Sequence, residues 1–408
     1  MKGPGVPLDP MRNRYIDLLR ALAIVRVVVY HTSGWTLLSF LPAMSVMFAL
    51  GGSLMASSLD RSGTAAAGRR LRRLLPSLWV LSAVFVPAML LTGLGVHWRL
   101  LLWLVPLSDP PANHWGALAL STIWYLRDYL WFVLVSPLAL WLFRRYPVPT
   151  LVAPYLLLLV FEIGLLSGPP VLRDFGLYLG AWLLGFAHHD GLLRRWSRSV
   201  LTAVAAVLCA AGLAWILTHP GFRGYDLNDI PLGNALWSAG LIVVALGFLP
   251  ARADWITRWA WFDRAVTVLN SRALTIYLWH MPVVILIAAI AAPLGYEGLQ
   301  ADRAAVRLVG VAVLVAIAVA LFGWVEDLAA RRRPALLPGA RRRPPLPVPV
   351  SPAPAPREPV LATTGPWEDV SRPILLWRWD RAGAPTQLEE RRHDAVVSRW
   401  AAAPGLRV

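Results

Sequence analysis

Ten apolar runs, each near the length a helix needs to cross a bilayer, recur along the chain and restrict its fold more than any other feature. A helix rises 1.5 Å per residue, so roughly 20 mostly apolar residues cover a hydrocarbon core of about 30 Å. The runs fall at 18–38, 40–58, 74–93, 118–143, 148–166, 172–188, 199–217, 231–250, 271–292 and 304–324. The composition of the 408 residues agrees, at 57% hydrophobic and 15% charged; water-soluble domains carry about a quarter charged residues. The fold class expected is all-α: a polytopic membrane protein of about ten transmembrane helices. The stretch 98–107 is too short to span and belongs at the outer surface.

The net charge of +16 would suit nucleic acid, but the basic residues cluster between apolar runs instead of covering one soluble face, so no nucleic-acid partner is expected. With a cytoplasmic N-terminus, the inside segments hold seventeen basic residues, among them Arg61, Arg69, Arg70, Arg72, Arg73, Arg144, Arg145, Arg194, Arg195 and Arg198. The outside segments hold five: Arg99, Arg173, Arg223, Arg303 and Arg307. That asymmetry predicts a multi-pass protein of the inner (plasma) membrane, in contact with its lipids. The first run is interrupted by Arg20 and Arg26 and lacks a small-residue cleavage site, so it reads as a retained helix. Domain 1–330 holds the helices. From Arg331 the chain turns Pro/Arg-rich, as in Arg341-Arg342-Arg343-Pro344-Pro345, and 331–408 reads as a largely disordered cytoplasmic tail. Cys209 is the single cysteine, which excludes a disulfide framework. His188 and His189 adjoin on a helix end and do not converge on one ion, so no metal is expected.

Ionisable groups inside a bilayer are costly and are functional candidates by default. Arg20 and His31 lie eleven residues apart, close to three helical turns, so they share a face about 16 Å apart along the axis. Asp17, one turn before Arg20, is placed to hold its guanidinium. Arg20 offers a fork for phosphate at the inner mouth, and a neutral imidazole at His31 suits removal of a hydroxyl proton. Taken alone, each has a plainer reading, Arg20 as a snorkelling anchor and His31 as a packing group. His280 sits at similar depth, as a second member of the site or a structural partner. Arg127 and Asp128 fall near mid-depth, and Arg26 points away from the shared face, placed to pair with Asp128.

The run Arg14-Tyr15-Ile16-Asp17-Leu18-Leu19-Arg20, continued to His31, closely resembles the opening of the acyltransferase family 3 membrane proteins. Arg69-Arg70-Leu71-Arg72-Arg73 resembles the family's basic RxxR motif. Trp124-Tyr125-Leu126 resembles its mid-chain Trp helix. Tyr277-Leu278-Trp279-His280 is similar to its late signature, and Glu326 to an acidic residue past the last helix. Two features depart from the pattern: Tyr129 and Leu130 stand where Glu usually follows the Trp, with Asp128 one position early, and there is no hydrolase-like C-terminal domain. The resemblance implies transfer of an acyl group from acyl-coenzyme A, in the first place acetyl-coenzyme A, to a hydroxyl of a carbohydrate, glycolipid or secondary metabolite. The catalytic set expected is His31, Arg20, Asp17 and His280. Arg14, Arg69, Arg70, Arg72 and Arg73 are expected to bind the donor, with Tyr277, Trp124, Asp128 and Glu326 in support. The alternative is a lipid or small-molecule transporter with a polar midplane site. That reading is weakened by the lack of an internal repeat.

Overall fold

Every one of the ten apolar segments contains a helix in the computed structural model, which describes residues 14–249, 253–294, 304–335, 376–379 and 385–388. In chain order these are α1 Arg14–Ser33, α2 Ala43–Ser62, α3 Ala65–Leu91, a short α4 His114–Ala119, α5 Ile123–Arg145, α6 Pro147–Glu162 and α7 Pro170–His189. A short α8 Leu192–Arg195 leads to α9 Arg198–Thr218 and α10 Pro231–Gly247. Then come α11 Asp254–Arg258, α12 Ala260–Ser271, α13 Ala273–Ala291, α14 Ala304–Phe322 and α15 Trp324–Ala329. Six of the described helices are long and apolar enough to cross a membrane (α2 with the 3₁₀ turn before it, α3, α5, α9, α13 and α14), while α6 and α10 are apolar but shorter. Both α1 and α7 run for 20 residues and carry charged side chains along them.

Two seams bring the polar groups of this bundle together. Along α2 and α7 the backbones touch: a Cβ added at Gly52 would meet the Trp182 carbonyl, and one added at Gly185 the Ala49 carbonyl. Small residues at such contacts are how helices approach closely without a hydrophobic force between them. Phe48, Tyr125, Phe132, Tyr178 and Trp182 fill the space beside the seam, Phe48 meeting Phe132 edge to face and the other pairs tilted. In the second seam Ile24 of α1, Ile276 and Val283 of α13, and Val311 and Val315 of α14 form one buried cluster. Because α1 lies along α13, the end of α1 that carries His31 reaches the turn that carries His280.

Polar clamps fix the other end of α1. Arg14 bonds Asp17 at 3.1 Å, Asp263 of α12, and Thr267 at 3.1 Å, and the Asn270 amide donates to the Asp17 carbonyl at 2.7 Å. Beyond α12, the fully buried Arg272 holds Asp327 of α15 at 2.6 Å. Although burial opposes it, the Arg272 hydrogen bond helps hold the Asp327 carboxyl below its usual range.

The chain divides into units Met1–Arg341 and Arg342–Val408. In the second, β1 Leu376–Trp379 pairs antiparallel with β2 Pro385–Leu388, with Leu376 opposite Leu388. Sequence reading did not anticipate this hairpin. Of the tail expected to lack structure, residues 331–335 are also described and hold no helix or strand; the remainder lies outside the described residues.

Candidate functional site

Two cavities open toward opposite ends of α1, and one side chain, Tyr277, borders both. The larger, about 530 Å³, is bordered by Arg20, Arg61, Arg69, Arg70, Arg73 and Glu326, among others. It lies among the first half of α1, the last turns of α2, the first of α3, and α15. Five guanidinium groups against one carboxylate make it a strongly positive mouth, suited to a polyanion. Arg70 is aimed by Tyr129, whose hydroxyl accepts from Nη1 at 2.8 Å, and by Ser58 at 3.3 Å; Arg69 bonds Ser62. Glu326 accepts from the Thr275 backbone N–H at 2.7 Å and the Thr275 hydroxyl at 2.5 Å, and burial pushes its pKa up.

The second cavity, about 350 Å³, is bordered by Arg26, Tyr30, His31, Trp124, Asp174 and Arg223, among others. Here the ring centroids of His31 and His280 stand 5.3 Å apart. His280 is fully buried, and its Nδ1 lies 2.6 Å from the Tyr277 carbonyl. A carbonyl only accepts, so Nδ1 carries the proton and Nε2 a lone pair. Among the described residues that buried Nε2 has no hydrogen-bond partner. The His31 ring makes ring contacts with Tyr30 and His280 and is open to the cavity. Tyr277 donates its hydroxyl to the Thr122 carbonyl at 3.0 Å and packs on Tyr125, ring centroids 4.9 Å apart.

Several expected pairings turn out otherwise. Arg20 and His31 do not face one continuous channel: they border different cavities, because Tyr125 and Tyr277 fill the space between. Asp17 takes Arg14, while Arg20 turns to Asn270 at 3.4 Å. Arg14 therefore stands outside the positive cavity, as does the exposed Arg72, which bonds the Gly68 carbonyl at 3.3 Å. Asp128 borders neither cavity. It is buried beside Arg127 at 2.9 Å, and Arg127 also bonds Asp109 at 2.5 Å and Asp174. Arg26 does not meet Asp128; its Nε donates to the Leu38 carbonyl at 2.7 Å. Trp124 stacks on Tyr178 at 5.2 Å in the second cavity's wall.

Three groups were missed. In the sequence Arg61 stands out only as a topology signal. Asn228 and Arg223 come from the connection between α9 and α10, whose sequence shows no motif. His189 does have carboxylate neighbours, Asp60 and Asp190, with ligand atoms within 4.8 Å of one another. Arg144 already bridges the two, at 2.8 and 2.7 Å.

Against known proteins, a family model described as an acyltransferase domain matches residues 13–324. No curated protein and no solved structure matches the chain.

Proposed function

The chain belongs to acyltransferase family 3, a multi-pass membrane acyltransferase, and on that premise we propose that it moves an acyl group from acyl-coenzyme A to a hydroxyl acceptor, with the Tyr277 wall as the meeting point. The observation that carries this reading is the pair of unlike cavities that share Tyr277, one rich in guanidinium, the other holding His31. Phosphates of the donor rest on Arg20, Arg69, Arg70 and Arg73 from the cytoplasmic side, and the acyl end reaches toward Tyr277, whose side chain swings aside to let it meet the acceptor at His31. Acetyl-coenzyme A is the first donor to test, and a carbohydrate, glycolipid or secondary metabolite the acceptor class. Ten spans in the inner membrane, the N-terminus and tail inside, complete the proposed arrangement.

In the reaction, a ring nitrogen of His31 takes the acceptor's hydroxyl proton as its oxygen attacks the thioester carbonyl. The C–S bond breaks, and the proton passes to the departing sulfur. His280 positions His31: with Nδ1–H fixed on the Tyr277 carbonyl, its Nε2, unpartnered among the described residues, accepts the His31 N–H once the two rings turn toward each other, leaving the other His31 nitrogen free to act as base. Ring centroids 5.3 Å apart allow a nitrogen–nitrogen separation near 3 Å, within hydrogen-bond range.

The test is His31→Ala in purified protein, with acyl transfer and donor binding measured separately. Loss of the base should lower transfer by about 10²- to 10⁴-fold while acyl-coenzyme A still binds. Full transfer in that variant refutes the assignment, and a wild-type protein that neither binds nor hydrolyses acyl-coenzyme A favours the transporter reading.

A further inference from the structure

The wall of the second cavity says something about the charge of what it takes. Arg26, Arg173 and Arg223 border it against a single carboxylate, Asp174, which is already bonded by Arg127. Other carboxylates stand behind the arginines instead of in the wall. Glu162 holds Arg173 at 3.0 Å, and Asp229 grips Arg223 through two bonds, at 2.9 and 2.7 Å. Asp226, only 1% exposed, accepts the Tyr30 hydroxyl at 2.5 Å and lies 3.5 Å from Arg223. Carboxylates so placed orient guanidinium groups toward the cavity without occupying it.

Arg26 differs from the other two. Among the described residues it has no ion-pair partner. Its Nε is spent on the Leu38 carbonyl, its guanidinium carbon lies 4.8 Å from the centre of the Tyr30 ring, and its terminal nitrogens bond no described residue. A half-buried guanidinium with a free planar fork is matched in shape and charge by a carboxylate. His31 follows five residues later, about 7.5 Å along the same helix. The stacked Trp124 and Tyr178 supply an apolar wall of the kind that ring ligands use, beside a few placed polar groups.

We infer that the acceptor is an acidic sugar, a hydroxylated ring whose carboxylate seats on Arg26 while one hydroxyl reaches His31. This rests on the acyl-transfer reading above and narrows its acceptor class.

The experiment is calorimetric binding of methyl glucuronide, methyl glucoside and glucose 6-phosphate to the full chain in detergent at low salt. Wild type should bind the glucuronide about ten- to a hundredfold more tightly than the glucoside, the range for hydrogen bonds to a charged group. Arg26→Gln should bring that ratio close to one, and Arg26→Lys, which keeps charge without the fork, should retain part of it. Equal affinities, tighter binding of glucose 6-phosphate, binding of none of the three, or an unchanged ratio in folded Arg26→Gln would overturn the inference. If Arg26→Gln does not fold, the wild-type comparison and Arg223→Gln, expected to weaken glucuronide binding, decide it. Acyl-coenzyme A binding and hydrolysis, measured on the same preparation, report separately on the acyl-transfer reading.

Discussion

His280 faces His31 across 5.3 Å, its one acceptor nitrogen buried and without a partner among the described residues, and leaving such a group unsatisfied costs about 1–3 kcal/mol. The buried His188 Nε2 is likewise unpartnered among the described residues, so what sets His280 apart is the His31 ring packed against it beside the second cavity. His280→Ala should lower kcat by roughly 10- to 100-fold with little change in KM for either substrate, the loss typical when a supporting partner of a functional imidazole is removed. It should also alter the pH dependence of kcat, since the imidazole that acts as base has lost its support; a lowered yield with an unchanged kcat and pH profile would mean a packing role only. Glu326 offers a second test at this scale. Burial raises its pKa, so the neutral acid is favoured in the folded state, and the stability it lends is complete below the unfolded value of about 4.3. That stability is lost as pH rises through the higher folded pKa. Glu326→Gln keeps the oxygen that Thr275 uses and cannot ionise. The melting temperature of wild type should therefore fall relative to Glu326→Gln as pH rises from 4 toward neutrality, and parallel melting curves across that range would contradict it.

Helices read cleanly from the sequence; what they do to one another did not. The six helices long and apolar enough to cross a membrane follow from runs of about 20 apolar residues, which leave the backbone no partner in hydrocarbon but itself. The same periodicity put Arg20 and His31 on one face of α1, yet partner choice was decided by other elements: Arg14 bonds Asp263, and Tyr125 and Tyr277 close off the space between the two cavities. Tyr129 meets Arg70, 59 residues away, and Arg223 reaches Tyr30, 193 residues away, separations no local motif records. Close packing of α2 on α7 is a tertiary fact of this kind, and it carries its own prediction. Gly52→Ala places a methyl against the Trp182 backbone, which cannot move aside like a side chain, so overpacking should destabilise by about 1–3 kcal/mol. Gly68→Ala in α3 meets nothing within 4 Å and should be neutral or stabilising by up to about 1 kcal/mol through helix propensity. Thermal unfolding of the two variants in detergent compares them directly, and equal melting temperatures would show that the seam yields.

For the whole molecule, function depends on which cavity faces which side. The positive cavity gathers the last turn of α2 and the first turns of α3 with the arginines they carry, whereas the His31 cavity takes Arg223 and Asn228 from the connection between α9 and α10. Basic connections stay in the cytoplasm, which is where coenzyme A thioesters are made available. The charge asymmetry of the sequence and the donor chemistry proposed for the positive cavity would both be met by one orientation, although they rest on different arginines in part: Arg20 belongs to a helix and counts for neither side. The single cysteine makes this easy to check, because Cys209→Ser yields a background free of thiols. On it, Thr64→Cys and Phe222→Cys each place one exposed thiol in a connection at opposite ends of the bundle. An impermeant maleimide should label Phe222→Cys in intact cells and Thr64→Cys only in inverted vesicles. The reverse pattern would put the guanidinium cavity outside, away from any cytoplasmic donor, and would leave the acyl-coenzyme A assignment without a route to its substrate.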